Sequence, residues 1–371
     1  MISNTDIIRL PIGAPDPLDL VQGAQRIDSF LKNSTPETFI PVRIGFDGID
    51  EFTSGGIHGG DLWLLGGVQN VGKTAAIMSI ARNIAGQQAL AIVVCYEHIE
   101  RELQIRLMCQ EAFRLYGKPV LQAKQIEDAF VEVVSEMSQN GDDKGLYFDR
   151  IIERIPYGVE VWSSLSRVAS KIWIVRGDTM AMTPEVLHAY VKKGIAEGNK
   201  RVVLIVDYLQ KIPVITNDGR ALRGDDCVFY SMNYLHKMSM SYSDTGAAVS
   251  TLVVGAADME SLREGRIHFE GMMGTSIITY EPSCALIMNW DKYEDDGYPI
   301  IRWGIEKNRN GQTDIEFRHK YYGPAYFFSP KGERVPKEES WQEERRDILD
   351  EMKQAQPMTS VLALTVTFSG T

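Results

Sequence analysis

The sequence predicts an α/β fold: a mainly parallel, twisted sheet with helices on both faces and an antiparallel hairpin at its C-terminal end. Short apolar segments alternate with segments of helical periodicity from Gly45 onward. Residues 89–96 and 202–206 are continuous apolar runs rich in β-branched side chains, which is typical of strands buried on both faces. Asn310-Gly311 separates two later strand-like segments and indicates a hairpin turn. Strands that alternate with helices in this way form parallel sheets.

The predicted strands are short apolar runs, and the predicted helices carry apolar side chains three and four residues apart. In chain order, the strands cover residues 62–65, 89–96, 172–175, 202–206, 251–254, 284–289, 300–305 and 314–319. The helices cover residues 73–85, 101–115, most of 117–170, 184–198 and 230–240. Length and alternation therefore predict one large α/β domain with smaller segments at either end.

We expect an N-terminal arm at residues 1–40, the α/β domain at residues 41–335, and a charged helix with a loose tail at residues 336–371. Within the arm, Asp16-Pro17 predicts the N-cap and the first residue of a short helix. Its apolar stripe consists of Leu20, Ala24, Ile27 and Leu31. The stripe would pack either on its own domain or on a neighbouring subunit.

The chain has 371 residues, 44% hydrophobic and 24% charged, as in an ordinary soluble globular protein. Its formal net charge of −11 argues against a protein that coats nucleic acid electrostatically, but it permits a locally basic channel. The four cysteines include no CxxC pair and predict neither a zinc site nor a disulfide framework. No apolar run reaches the ~18–20 residues of a membrane span, and the N-terminus lacks a signal-peptide pattern. We therefore expect a cytoplasmic protein without a membrane partner.

A phosphate-binding loop follows the first predicted strand. It fits the pattern GxxxxGK[ST] and consists of Gly67, Val68, Gln69, Asn70, Val71, Gly72, Lys73 and Thr74. Glycines let backbone N–H groups surround phosphates, and the following helix offers its N-terminus to the same anion. Lys73 is expected to reach the β- and γ-phosphates of ATP, and Thr74 to ligate Mg²⁺. The alternative is a glycine-rich turn that holds no nucleotide.

Carboxylates follow two of the buried strands. Asp207 comes directly after the strand 202–206 and would hold the Mg²⁺ ion, directly or through its waters. The alternative is an aspartate that only ends a strand. Glu97 follows the strand 89–96 and is the candidate for the general base that activates the attacking water. His98 and Glu100 lie nearby and stay open as competitors.

The chain resembles the C-terminal RecA-like motor domain of DnaB-type replicative DNA helicases, in the same order along the sequence. The resemblance rests on residues 44–51, residues 59–62 ahead of the loop, Tyr96-Glu97, Val206-Asp207-Tyr208-Leu209-Gln210 and Lys307-Asn308-Arg309-Asn310-Gly311. The last two runs are its most specific parts. Together these segments extend the resemblance from about Ile44 to Ser329.

The resemblance implies an ATP- and Mg²⁺-dependent helicase of DNA replication, which translocates 5′ to 3′ on single-stranded DNA as a hexameric ring. It assigns Glu97 as the catalytic base. It also implies that Lys307 and Arg309, the latter an arginine finger, act in trans on the γ-phosphate held by a neighbouring subunit. A helicase loader or a primase would be a further partner.

The sequence also departs from this family. Ala257 and Asp258 stand where the family has a Ser-Gln pair that senses the γ-phosphate, and an ionised aspartate cannot donate a hydrogen bond as glutamine does. We also expect the chain to lack the family's N-terminal primase-binding domain, and we expect the arm to serve as the linker that clasps the next subunit.

Two loops, residues 216–226 and 261–275, would face the central channel of such a ring. Their basic side chains, the candidate DNA contacts, are Arg220, Arg223, Arg263 and Arg266. Repeated around a ring, they would make a basic channel inside an acidic particle. Both loops also carry acidic residues, so ordinary mixed-charge loops stay open as the alternative.

Two functions from different classes follow from these observations. The first is a ring-forming motor that unwinds DNA. The second is a RecA- or KaiC-like ATPase switch, a loader or a recombination mediator, that does not unwind DNA. Stimulation of ATP turnover by single-stranded DNA distinguishes them.

Overall fold

The computed structural model describes residues 17–140, 147–216, 218–242, 245–257, 266–274 and 277–340. Its strands are β1 (Leu62–Gly67), β2 (Leu90–Cys95), β3 (Ile172–Arg176), β4 (Arg201–Asp207), β5 (Ala248–Val254), β6 (Cys284–Tyr293), β7 (Pro299–Asn308), β8 (Ile315–Tyr322), β9 (Phe327–Phe328) and β10 (Glu333–Arg334). Its helices are α1 (Leu20–Asn33), α2 (Asp47–Phe52), α3 (Lys73–Gly86), α4 (Glu100–Tyr116), α5 (Ala123–Asn140), α6 (Tyr147–Arg154), α7 (Gly158–Ala169), α8 (Pro184–Ala196), α9 (Gly224–Met240) and α10 (Ile277–Tyr280). Within these residues, none of the helices combines the length and the apolar character needed to span a bilayer.

The strands form one sheet in the order β10-β8-β7-β6-β1-β5-β4-β2-β3, with β9 on β8. The strands from β6 to β3 in this order run parallel, and β7 to β10 are antiparallel to their neighbours. Every residue of β1 and β2 is buried, which requires cover on both faces of the sheet. The predicted fold class, a mainly parallel sheet that ends in an antiparallel hairpin, is therefore confirmed.

The parallel part of the sheet brings the carboxyl ends of its strands to one side. β1, β2, β4 and β5 all have their carboxyl ends there, and Cys95 at the end of β2 lies opposite Asp207 at the end of β4. In open sheets of this kind, ligands bind outside the carboxyl ends of the strands. The topology thus places the phosphate-binding loop beside the residues that follow β2 and β4.

The arm differs from the prediction in its start and its packing. Helix α1 begins at Leu20, because Asp19 caps it: the Asp19 carboxylate accepts a 2.8 Å hydrogen bond from the Gln22 backbone N–H. The Gln22 side chain accepts one from the Asp19 N–H in return. The predicted start at Asp16-Pro17 was therefore wrong. None of the residues of α1 is buried, so the stripe does not pack on its own domain.

One other predicted helix has a different start. Helix α9 begins at Gly224, six residues earlier than predicted, so Asp225 and Asp226 lie in its first turn rather than in a loop. Carboxylates in the first turn of a helix are stabilised by the helix dipole. The charged helix predicted after Ser340 lies outside the described residues.

Candidate active site

The phosphate-binding loop joins β1 to α3, as the sequence predicts. Gly72 is the N-cap residue of α3 and has a φ of 93°, a left-handed conformation that favours glycine. A Cβ atom at Gly72 would also lie 2.9 Å from the Phe328 ring. Both constraints require glycine at this position. The loop therefore ends with the N-terminus of α3 open to an anion.

Lys73 lies inside this loop. Its ammonium group donates hydrogen bonds of 2.8 Å to the carbonyl oxygens of Gly67 and Val68. Burial lowers the pKa of Lys73, although the carboxylates of Asp207 and Glu97 act in the opposite direction. A phosphate group in the loop would offer Lys73 charged partners in place of two neutral carbonyls.

Asp207 and Thr74 meet at the carboxyl end of β4. The Thr74 hydroxyl donates a 2.8 Å hydrogen bond to the carboxylate of Asp207, which is 2% exposed. Burial raises the pKa of Asp207, and the Thr74 hydrogen bond acts against that rise. Hydroxyl and carboxylate oxygens are the hard ligands that Mg²⁺ prefers. In the described part of the chain no cluster of three acidic, histidine or cysteine side chains could hold a metal. The Thr74–Asp207 pair fits Mg²⁺, because this ion takes few protein ligands and keeps water and phosphate oxygens.

Glu97 lies across the same cleft, which has a volume of about 430 Å³. Its side chain is exposed at the end of β2, beside His98. His98 contacts the Glu102 carboxylate at 2.9 Å. Glu100 does not line the cleft, and its carboxylate accepts a hydrogen bond from the backbone of Arg176. The structure thus brings Glu97, and not Glu100, to the residues of the phosphate-binding loop.

The far wall of the cleft contains side chains that the sequence analysis missed. Arg106 lies over the Tyr326 ring, 5.2 Å from its centroid, and Tyr321 lines the same wall. The buried Gln110 amide donates to the carbonyl oxygens of Tyr326 (2.8 Å) and Ala75 (2.9 Å). A flat aromatic face beside a guanidinium group is a surface on which a nucleobase can stack. The run of aromatic residues at 321–328 was the available signal.

Lys307 and Arg309 lie on the side of the sheet opposite the cleft, near the amino end of β1. Register places Lys307 opposite Ala285 on β6, and the Arg309 N–H donates to Ser283 at the level of Leu62, the first residue of β1. Arg309 is therefore roughly 17 Å from Gly67 along the strand direction, at about 3.3 Å per residue. Neither cation lines the cleft of its own subunit.

Both cations are held by the end of α10. The Lys307 ammonium group donates to the carbonyl oxygens of Thr279 and Tyr280 at 2.7 Å, and the Arg309 guanidinium donates to Tyr280 at 2.8 Å. Cations at a helix C-terminus are stabilised by unpaired carbonyls and by the helix dipole. Burial lowers the pKa of Lys307 to about 8, and the charge of Arg309 acts in the same direction.

The candidate DNA contacts are divided. Arg220 is exposed and pairs with Asp218 at 3.1 Å, and Arg223 is exposed as the N-cap residue of α9. Arg266 instead forms an ion pair with the buried Glu316. A buried carboxylate needs such a cation, so this ion pair competes with the predicted contact between Arg266 and DNA. Arg263 and the sensor position Asp258 lie outside the described residues.

A parallel sheet in this strand order, with a phosphate-binding loop between β1 and α3, defines a RecA-like P-loop NTPase core. The family model described as the DnaB-like helicase C terminal domain matches residues 41–225. This segment therefore belongs to that family, and the resemblance to DnaB-type motor domains is confirmed. No curated protein matches the chain in sequence.

Solved structures agree on the fold. One of them, an ATPase domain, is 14% identical, with a TM-score of 0.60; the match covers 84% of this chain and 99% of that one. A DnaB-like replicative helicase, solved together with a study of its interactions with primase, is 16% identical, with a TM-score of 0.57; that match covers 85% of this chain and 67% of the other. At these identities the structures establish the fold alone.

Proposed function

We propose that the chain is an ATP-dependent DNA helicase motor that translocates on single-stranded DNA during replication, 5′ to 3′, as a hexameric ring in the cytoplasm. Its motor would span residues 41–335, between the arm and the C-terminal segment. One observation carries the proposal: Lys73, the Thr74–Asp207 pair and Glu97 surround a single cleft at the carboxyl edge of the sheet.

The cleft suits ATP hydrolysis. The backbone of residues 67–72 and the Lys73 ammonium group would hold the phosphates, while Arg106 and Tyr326 would hold the base. Thr74 and Asp207 would hold Mg²⁺, which neutralises phosphate charge when it is bound. Glu97 would take a proton from water as the oxygen attacks the γ-phosphorus atom and the bond to the leaving ADP oxygen breaks.

The site is incomplete in one subunit. Charge develops on the transferred phosphoryl group, and an arginine from outside commonly stabilises it. Because Arg309 and Lys307 lie at the opposite edge of the sheet, they can serve a second subunit but not their own cleft. The exposed apolar stripe of α1 would hold the subunits together, and a loader or primase would bind the assembled ring.

The alternative is an ATPase switch, loader or recombination mediator that does not unwind DNA. The ion pair between Arg266 and Glu316 favours it, since it removes one cation from the proposed channel. The net charge of −11 also favours the switch, because a negatively charged protein is repelled by the phosphate backbone of DNA.

The test is steady-state ATP hydrolysis with and without single-stranded DNA. We expect a several-fold rise with DNA that is abolished in Lys73→Ala and kept in Lys124→Ala, which removes an exposed lysine paired with Asp128. A forked-duplex unwinding assay then tests the motor directly. Hydrolysis that DNA leaves unchanged would contradict the motor and favour the switch.

A further inference from the structure

Glu306 is a buried acid close to Lys307 and Arg309, the two cations proposed to act in trans (the trans cations). It precedes Lys307 on β7 and is only 5% exposed in its side chain. Its carboxylate accepts a 2.6 Å hydrogen bond from the Phe269 backbone N–H and contacts His268 Nδ1 at 3.1 Å. Burial raises the pKa of Glu306, whereas the hydrogen bond from His268 lowers it. A carboxylate buried in this way is costly unless these partners are kept.

A β-bulge gives Glu306 its direction. Ile305 pairs with Leu286 and Lys307 with Ala285, so Glu306 is the extra residue of β7 opposite β6. On the other side, pairing of β7 with β8 stops at Ile305. Bulges re-aim side chains and are common next to active sites. Here the bulge directs the Glu306 side chain toward the segment 268–269. It also fixes the position of the next residue, Lys307.

The same segment also touches the trans cations. The Lys307 ammonium group lies 5.9 Å from the centroid of the Phe269 ring. The chain continues from there to α10, whose last carbonyls hold Lys307 and Arg309. The placement of residues 268–269 and of the two cations is therefore linked through Glu306 on one side and through α10 on the other.

We propose that Glu306 is a positioning residue that couples the segment 268–269 to Lys307 and Arg309, so that strand binding changes the placement of both cations. This inference rests on the proposed function, because residues 268–269 belong to the segment 261–275 that was expected to face the strand. Glu306 would then serve the ATP site proposed to lie between two subunits, in addition to its contact with His268 within the fold.

The test compares ATP hydrolysis by Glu306→Ala, Glu306→Gln, His268→Ala and wild type, with and without single-stranded DNA. We expect the stimulation of kcat by DNA to fall about five-fold or more in Glu306→Ala, a typical size for coupling between two sites. The KM for ATP should stay within about two-fold of wild type, since the nucleotide cleft is untouched. Glu306→Gln keeps an acceptor for the Phe269 N–H and should lose less.

Glu111→Ala is the matched control. Glu111 is 1% exposed and pairs with Arg82 away from the hairpin, so its loss lowers stability and should leave the stimulation ratio unchanged. If wild type itself shows no stimulation, the proposed function fails. Suppose instead that DNA stimulates wild type and stimulates both Glu306→Gln and His268→Ala to the same extent. The coupling role of Glu306 is then overturned, while the proposed motor function stands. An equal loss in Glu111→Ala would also overturn it. Because His268 is partly exposed, His268→Ala keeps the test valid even where Glu306→Ala does not fold.

Discussion

The two carboxylates of the cleft differ in their environments. Asp207 is buried at a strand end and accepts a hydrogen bond from Thr74, whereas Glu97 is exposed two residues after the end of β2. A fixed, buried carboxylate suits an ion that demands regular geometry. An exposed one at the cleft can meet a water molecule. The difference in environment thus supports different roles for two chemically similar side chains.

His319 is a base without a catalytic task. It is fully buried, its ring lies 5.2 Å from Phe46 and 5.5 Å from Trp303, and its Nδ1–H donates to the Ser329 carbonyl at 2.8 Å. Burial lowers the pKa of His319 from 6.5 to about 4. The folded protein therefore contains neutral imidazole at neutral pH.

We predict that His319→Asn flattens the pH dependence of stability. An unfolded histidine takes up its proton near pH 6.5 and the folded one near pH 4, so the stability that depends on neutral His319 is lost as pH falls through this window. Between pH 7 and 5, wild type should lose about 2 kcal/mol of unfolding free energy from this group. Asparagine can still donate to Ser329 but does not titrate.

Urea unfolding at the two pH values measures the effect. His98→Asn, which removes a partly exposed imidazole, serves as the control and should keep the wild-type difference. A His319→Asn variant that loses as much stability as wild type between pH 7 and 5 would show that His319 is not the group responsible.

At the scale of elements, continuous burial made the sheet predictable. The predicted segment 89–96 contains β2, and the predicted segment 202–206 lies within β4. Both were recognisable because strands covered on both faces admit only apolar side chains. Motif spacing similarly predicted the loop before α3. The start of α1 was missed because Asp16-Pro17 and the Asp19 capping box are both valid local signals.

Long-range pairings could not be predicted from the sequence. Arg266 meets Glu316, and Arg106 meets Tyr326, across large separations in the chain. No local periodicity encodes such contacts, since they depend on the strand order. The aromatic wall of the cleft and the paired state of Arg266 therefore became visible only in the fold.

Helix α1 exposes its apolar stripe to solvent. Leu20 is 95% exposed, Ile27 59% and Leu31 51%, on one stripe of a capped helix. We predict that Ile27→Glu with Leu31→Glu weakens subunit association without unfolding the domain. Burying two such side chains is worth about 3–6 kcal/mol, so the dissociation constant should rise about 100-fold or more. Light scattering coupled to size-exclusion chromatography measures the mass.

The control is Ser29→Glu, on the opposite face of α1. It should leave the assembly intact, and the melting temperature of the domain should be similar in all variants because none of the α1 residues is buried. An assembly that survives the double substitution would mean that α1 does not join the subunits.

In the complete fold, the cleft and the cations Lys307 and Arg309, which together would form the proposed site, lie at opposite ends of the strands. The carboxyl edge of the sheet carries the cleft, and Arg309 lies at the level of the first residue of β1, on the other edge. If Arg309 serves a neighbouring cleft as proposed, the interface would be head-to-tail, and such an interface closes into a ring when the rotation permits. Each interface would then contain the cleft of one subunit and the cations of the next.

Shared sites predict complementation between inactive subunits. Lys73→Ala and Arg309→Ala should each hydrolyse little ATP alone, but in mixed assemblies some interfaces pair an intact Lys73 with an intact Arg309. Random mixing in equal amounts makes about one interface in four complete, so roughly a quarter of the wild-type rate should return in a heterologous ring. Lys73→Ala mixed with Glu97→Gln is the control: both residues line the cleft of one subunit, so no interface becomes complete and no activity returns. Recovery in the first mixture and not in the second requires that Arg309 acts across the subunit boundary. Equal rates in the two co-assembled mixtures would mean that the cations at the far edge of the sheet have no part in the neighbouring cleft.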